Sequence, residues 1–369
     1  MGEHAHRVSV VIPVYKVERY LEQCLASIRS ELGGALQVIV VNDGSPDGSR
    51  DIAERFIAAH PAGAQDPQIP DFELLDKPNG GYGSAVNFGI ARADGDYIGI
   101  VESDDYLDGD LFGSLARIAQ QTGEPDVVKS TYWRVWMPDT PKQRVWHSLL
   151  RHRGVPTWEE GAIDLGQAPQ LVRYHPSVWS AIYRRDFLEA TGTRFLDEPG
   201  AGWVDNPFNM RALCQARSIA YTDEAWYCYR EDRPGSSSVQ LEPELPLLRW
   251  QQMAAEVAQS RWAEDEGLLA VLYTIAFQHL GHLWDTPAYE QVRPLAEEVL
   301  RSLDPEIALG LPEVSSRDKQ RYLDAIGSGR TAPGDGAHRA YLVREAAHSL
   351  RENGPGFLLA RLRGSKEAA

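Results

Sequence analysis

The apolar positions of the first third of the chain alternate between two periods. Val8 to Val14 is a near-continuous β-branched run closed by Pro13, the pattern of a strand buried on both faces. From Glu18 to Ser30 the residues Tyr20, Leu21, Cys24, Leu25 and Ile28 recur at helical spacing and predict a first helix. Val38 to Val41 reads as a second buried strand. It runs into Asn42-Asp43-Gly44-Ser45-Pro46-Asp47-Gly48, a turn-forming segment in which Asp47 is placed to cap a helix through Ile52, Phe56 and Ile57. Phe72 to Leu75 is a third strand, after which the loop Asn79-Gly80-Gly81-Tyr82-Gly83-Ser84 opens a helix through Val86, Phe88 and Ile90. Tyr97 to Val101 is a fourth. Three strand–helix units followed by a strand make an α/β fold on a right-handed parallel sheet the economical topology.

From Pro243 onward the pattern is helical throughout: Leu247 to Trp262, Leu268 to Leu283, Tyr289 to Leu303 and Asp318 to Ile326 space their apolar residues near the helical period. Gly327 to Gly336 reads as a flexible linker. Beyond it, His338 to Arg363 places Tyr341, Leu342, Ala346, Leu350, Phe357, Leu358 and Leu362 among five arginines. Residues 317–369 carry ten Lys plus Arg against six Asp plus Glu, +4 in a chain of net charge −16. Such a basic amphipathic end can lie on an anionic membrane surface, dock a partner or pack on its own domain.

A length of 369 residues fits one catalytic domain with a smaller appendage. The net charge of −16 argues against nucleic-acid binding, which depends on Lys and Arg displacing counterions. Cys24, Cys214 and Cys228 are odd in number and lack metal-ligand spacing, so they read as reduced, buried thiols of a cytoplasmic protein. No run approaches the roughly 20 apolar residues of a membrane span. Met1 to Arg7 is polar and leads into a strand, which argues against a signal peptide, and His6 stands where myristoylation wants Ser or Thr.

The fourth strand ends in Glu102-Ser103-Asp104-Asp105, three carboxylates at the edge where open α/β sheets bind ligands. Clustered acids there suit a hard divalent cation and, through it, a diphosphate; a strand-end acid also caps the next helix. Asp43 can accept the ring N–H of a uracil or form a turn, Tyr15 can stack on a base or pack, and the glycine loop lets amides approach a phosphate or simply turns tightly.

Taken in order, four motifs resemble glycosyltransferase family 2: Val8-Ser9-Val10-Val11-Ile12-Pro13-Val14-Tyr15; Val38-Ile39-Val40-Val41-Asn42-Asp43-Gly44-Ser45; Asn79-Gly80-Gly81 through Ala85-Val86-Asn87-Phe88-Gly89-Ile90-Ala91; and Ala93-Asp94-Gly95-Asp96-Tyr97-Ile98 with Glu102-Ser103-Asp104-Asp105. The resemblance spans residues 8–120. It implies a GT-A type fold, a mostly parallel sheet flanked by helices, here with a C-terminal helical extension. It also implies a nucleotide-sugar donor, a divalent cation (Mn²⁺ or Mg²⁺) and inversion at the anomeric carbon. It places Pro13, Val14, Tyr15 and Asp43 around the nucleobase, Lys77, Asn79 and Gly80 near ribose or phosphate, Ser103 beside them, and Asp104 on the metal. Glu102 stands where the family usually has Asp.

All ten tryptophans lie between Trp133 and Trp284, downstream of the nucleotide half. Indole faces suit carbohydrate C–H surfaces, and Trp203 is the acceptor-binding candidate, while Trp250, Trp262 and Trp284 sit in helical patterns and read as core. Direct inverting transfer requires a general base for the acceptor hydroxyl. Asp205, opening an apolar helix through Phe208, Met210, Leu213 and Cys214, resembles the family's acidic motif, with Val204 where Glu is frequent; helix capping is its competing role. Tyr227-Cys228-Tyr229-Arg230 and Arg233-Pro234-Gly235 resemble a segment that closes over the donor, with Arg230 or Arg233 facing the diphosphate.

The expected layout is therefore a GT-A domain over 1–240 (nucleotide half 8–120, acceptor half 121–240), a helical region over 241–327, and a linker with a basic helix over 328–369. The expected activity is transfer of a sugar from a UDP-sugar to a hydroxyl of a saccharide or lipid-linked saccharide acceptor in surface polysaccharide synthesis, by a cytoplasmic protein peripheral at the inner face of the membrane. A sugar-nucleotide pyrophosphorylase would want a glycine- and arginine-rich loop after the first strand, where Pro13-Val14-Tyr15-Lys16 stands. A catalytically silent nucleotide-sugar-binding module is the non-enzymatic alternative.

Overall fold

The computed structural model of the chain describes residues 6–61, 66–136, 144–147, 149–200, 202–231 and 242–364. The chain divides into two compact units, one of residues 1–168 with 175–239, the other of residues 169–174 with 240–369.

The first unit is a mixed sheet flanked by helices. Its nine strands are β1 (Val8–Val14), β2 (Leu36–Asn42), β3 (Asp71–Asp76), β4 (Tyr97–Ile100), β5 (Tyr106–Leu107), β6 (Val127–Trp136), β7 (Arg144–His147), β8 (Ala181–Arg184) and β9 (Ile219–Arg230). Eight run in the order β3-β2-β1-β4-β8-β6-β9-β5, and β7 pairs with β6. The helices of this unit are α1 (Leu21–Ser27), α2 (Ser49–Ala59), α3 (Tyr82–Arg92), α4 (Leu111–Gln121), α5 (Arg185–Thr191) and α6 (Asp205–Gln215). β1 to β4 are parallel; every residue of β1 and β2 is buried, as their apolar runs lead one to expect, while β3 at the sheet edge is half-exposed.

Beyond β4 the sheet departs from the expected mostly parallel pattern. β8 lies antiparallel between β4 and β6, and β5 is antiparallel to β9. β8 is only four residues long and is reached through irregular chain, so its sequence carries no strand period to read. A second difference lies at α2. Its N-cap is Gly48, while the Asp47 carboxylate accepts from Ser45 Oγ, Ser49 N and Glu18 N, which fixes the turn rather than the cap.

Register brings the ligand edge together. Val14 lies opposite Asn42 and Asn42 opposite Asp76, so Tyr15, Asp43 and Lys77 leave three adjacent strands at one level. Ile100 lies opposite Val11 and the β4 backbone continues as Val101 N donates to Val11 O, which carries Glu102 to Asp105 to the same edge.

The second unit holds α7 (Leu245–Ala258), α8 (Glu266–Leu283), α9 (Ala288–Arg301), α10 (Pro305–Gly310), α11 (Ser316–Ala325) and α12 (Gly336–Gly364). Trp250 is core and its Nε1 donates to Leu272 O at 2.8 Å, whereas Trp262 and Trp284 are half-buried. α10 escaped the apolar pattern because six residues are too few to show a period; Asp304 caps it through Glu306 N and Ile307 N. The expected flexible linker is tied down. Ser316 N donates to Asp335 Oδ1, Ser316 Oγ to Pro333 O, and Ala332 N to Gln320 Oε1. α12 is broken at Gly354, whose φ of 74° no helix accepts. Among the described residues no helix is long and apolar enough to cross a membrane.

Candidate active site

The loop after β2 closes around one carboxylate. Asp43 is buried, and its Oδ1 accepts from Lys77 Nζ at 2.6 Å and from Gly80 N at 3.0 Å, while Oδ2 accepts from Gly81 N at 2.9 Å. Asn79 Nδ2 donates to the Asp43 carbonyl, and Lys77 Nζ also reaches Pro78 O. Lys77, Asn79 and Gly80, expected at ribose or phosphate, are here gathered on Asp43, so the glycine-loop amides meet a side-chain carboxylate. Tyr15 stands at the same edge, 42% exposed, with Lys16 Nζ 5.0 Å from its ring centroid. Lys16 holds φ 55°, a left-handed conformation that costs a non-glycine residue about 1 kcal/mol, fixed by its amide donating to Ser45 Oγ.

The loop after β4 is built differently. Ser103 Oγ donates to Pro13 O at 2.6 Å and ties this loop to β1, where Pro13 and Val14 are buried. Asp105 is fully buried; its carboxylate accepts from Tyr227 Oη at 2.9 Å and from Arg230 N at 2.8 Å. Burial, then the neighbouring Asp104 and Glu102 carboxylates, push the Asp105 carboxyl well above its ordinary range. Asp104 remains half-buried. Tyr227 Oη also accepts the Glu102 amide at 3.0 Å, so one hydroxyl fixes both ends of the acidic turn.

Glu102 reaches further than the usual Asp, and Tyr82 meets it. The Tyr82 hydroxyl donates to Glu102 Oε1 at 2.5 Å from a half-buried position at the start of α3. Burial, Glu102 and then Asp205 raise the Tyr82 phenol well above its ordinary value, and burial followed by Asp205 does the same to Tyr183. Asp205, the first residue of α6, is therefore near enough for its charge to act on both phenols.

The segment before α6 is held by the glycine loop. A Cβ on Gly81 would stand 2.4 Å from Glu198 O, and one on Gly83 2.0 Å from Leu196 O, so glycine is required at both by the approach of the 196–200 backbone. Tyr82 N donates to Gly200 O at 2.8 Å, and Asn87 pairs twice with the Phe195 backbone. Phe195 stacks on Phe208 with centroids 3.9 Å apart, and this fixes α6. Trp203, half-buried two residues before Asp205, has φ 54°. The two non-glycine residues Lys16 and Trp203 thus hold left-handed conformations at the two loops flagged for base and acceptor.

Arg230, expected near the diphosphate, is buried, its guanidinium lies 5.2 Å from the Tyr20 centroid and 5.1 Å from that of Tyr106, and it bonds to Gln23. Strand alternation in β9 sends Tyr227 and Tyr229 to the face where Trp179 stacks on both, at 4.0 and 5.2 Å. Arg233 lies outside the described residues. Sequence reasoning also passed over Lys129, buried in β6 with its Nζ donating to Pro176 O and Ser177 O at 2.8 Å each. A lone Lys inside the apolar run Val127-Val128-Lys129 was the available signal.

Among the described residues no group of three His, Cys, Asp or Glu side chains is arranged as a metal cage. Mg²⁺ and Mn²⁺ bound with a diphosphate need only one or two carboxylates, with phosphate oxygens and water completing the shell. Half-buried Asp104, beside the mutually repelling Asp105 and Glu102, is a donor set of that kind.

Comparison with known proteins decides the family. The model of glycosyl transferase family 2 matches residues 9–191. The uncharacterized glycosyltransferase EpsJ of Bacillus subtilis is 31% identical over 251 residues, 68% of this chain and 69% of that protein. The chain belongs to glycosyltransferase family 2. Chondroitin synthase of Pasteurella multocida shares 34% identity over 110 residues, which are 29% of this chain and 10% of that much longer enzyme. For the family's fold, the S. aureus protein TarS, residues 1–349, in a crystal structure with UDP, superposes with a TM-score of 0.64 at 19% identity, covering 93% of this chain and 91% of that one. The first unit has the GT-A architecture of the family, and one edge of its sheet gathers Tyr15, Asp43, Glu102 and Asp104.

Proposed function

We propose that this glycosyltransferase is an inverting enzyme that moves a sugar from a UDP-sugar to a hydroxyl of a saccharide or lipid-linked saccharide acceptor, in the synthesis of a surface polysaccharide. The observation that carries the reading is the hydrogen bond from Tyr82 to Glu102 at the strand-end acids, with the Asp205 carboxylate near enough to help raise the Tyr82 phenol. A base and a leaving-group site must be held on opposite sides of one anomeric carbon. The UDP bound to TarS and the polysaccharide made by chondroitin synthase, as their names state, support the donor and product classes.

The residues divide the work. Tyr15 stacks on the base, with Pro13 and Val14 behind it, and Asp43 holds the loop that borders the base and the ribose; Oδ2 accepts one protein donor and keeps a lone pair for a ring N–H. Asp104, with Ser103 and Glu102 framing it, holds a divalent cation, which when bound neutralises the departing diphosphate. Asp205 takes the acceptor hydroxyl proton as the acceptor oxygen bonds to the anomeric carbon and the bond from that carbon to the diphosphate breaks. Trp203 offers the acceptor an indole face. The chain acts at the cytoplasmic face of a membrane, with contact through α12.

Calorimetry of UDP with and without Mn²⁺ tests the donor half. The wild-type chain should bind UDP at least tenfold more tightly with the cation, and Asp104→Ala should lose that dependence while unfolding normally. Equal affinity in chelator for both proteins would remove Asp104 from the metal.

A further inference from the structure

α12 is turned inside out relative to an ordinary surface helix. Between Gly336 and Asn353 its polar side faces the second unit: Arg173 Nη2 donates to Tyr341 Oη, His338 Nδ1 donates to Pro312 O, and Ser349 is buried. Glu345, His348 and Glu352 lie on this same side, less exposed than their neighbours. The apolar side faces outward, with Val343 70% exposed, Leu342 50% and Leu350 45%, and with Ala346 and Ala347 exposed between them. At 100° per residue these five positions form one continuous stripe. Arg339, Arg344 and Arg351, all exposed, lie within or along its margin, and no carboxylate between 336 and 353 is exposed with them.

We infer that this outward stripe of α12 docks on an anionic lipid bilayer, with Leu342, Val343 and Leu350 entering the headgroup boundary and the three arginines meeting lipid phosphates. The inference identifies the face and its charge partner, and it does not depend on the donor or on Asp205. An exposed apolar strip rimmed by arginine is the pattern of an interfacial helix, because burial of apolar area and attraction to anionic headgroups add. Self-pairing through a two-fold axis would set the same arginines against their copies, so a second chain is the poorer occupant.

The test is co-sedimentation of the full-length chain with vesicles of phosphatidylcholine alone or with one-third phosphatidylglycerol added. The wild-type chain should partition at least about tenfold more strongly onto the anionic vesicles, and 0.5 M NaCl should reverse it. Leu342→Ser with Val343→Ser and Leu350→Ser should lower binding at least about tenfold, as should Arg344→Glu with Arg351→Glu. These side chains are solvent-exposed, and an unchanged urea midpoint verifies the fold. Wild-type chain that ignores phosphatidylglycerol, variants that bind as wild type does, or a wild-type dimer in sedimentation velocity that the serine triple abolishes would each overturn the inference.

Discussion

The loops after β2 and β4 both present buried carboxylates at one sheet edge, yet their charge is settled in opposite ways. Asp43 is matched within the fold by an ammonium and two amides, so the β2 loop is electrostatically closed. Asp105 is matched by a phenol and one amide, and the Asp104 and Glu102 carboxylates crowd it, so the β4 loop concentrates three acids in one turn. A closed loop supplies shape, whereas clustered acids suit a cation from outside. Binding a metal–diphosphate needs both, because the base and sugar require a rigid wall and the phosphates require charge.

The largest expected effect breaks the closed loop. Asp43→Ala leaves the Lys77 ammonium and two amides without their acceptor, and loss of one member of a buried pair costs about 3–5 kcal/mol. Urea unfolding should show a loss of that order, partly restored by Lys77→Met in the same chain. Asp105→Asn should cost far less, since it removes a carboxylate that its surroundings already disfavour. If both variants lost equal stability, the contrast between the loops would fall.

Next in size is the base. Proton removal matters only in the transition state, so Asp205→Asn should lower turnover roughly a hundredfold or more with UDP affinity little changed. Near-normal transfer would leave Asp205 as a first-turn carboxylate of α6 with no part in the proton transfer. Smaller again is Tyr82→Phe. It removes the hydroxyl bonded to Glu102, and the loss of one hydrogen bond to a charged group should cost about 1.5–3 kcal/mol, read as a ten- to hundredfold drop in cation-dependent UDP affinity. An unchanged affinity would show that Glu102 needs no anchor.

What the sequence disclosed about these loops follows from the range of the contacts. β1 to β4 and the acids at their ends are written in local runs, and register alone brings them to one edge. Asp205 was legible as a polar residue opening an apolar helix. Tyr82 was not, because it reads as filler in a glycine loop until Glu102, twenty residues on, is folded against it. Tyr227 and Trp179 were hidden for the same reason, their contacts spanning 122 residues in the Asp105 bond and a mixed strand order in the stack. The aromatic surroundings of Arg230 were not legible either, because only strand alternation in β9 turns its guanidinium between Tyr20 and Tyr106.

The smallest effect concerns Lys129 and sharpens the contrast further, because among the described residues this buried amine meets carbonyls rather than a carboxylate. Lys129 Nζ donates only to Pro176 O and Ser177 O, fixing the turn that carries Trp179 onto Tyr227. Burial pulls this amine down to about 7 from 10.5. A neutral amine still has two N–H groups, enough for the two carbonyls. Nearby His175 is pushed down to about 3 by burial and then by Lys129, so it stays neutral beside it. The unfolded chain keeps Lys129 protonated up to about 10.5 and the folded chain only to about 7, so between those values the unfolded state binds more protons. Stability from this group therefore rises with pH across that window and is flat below it. Lys129→Met removes the titration while leaving other buried phenols and thiols in place, so the difference in urea midpoint between wild type and variant should grow from pH 7 to pH 9. Parallel midpoint curves would mean that Lys129 stays charged in the fold and that its two carbonyls hold an ammonium.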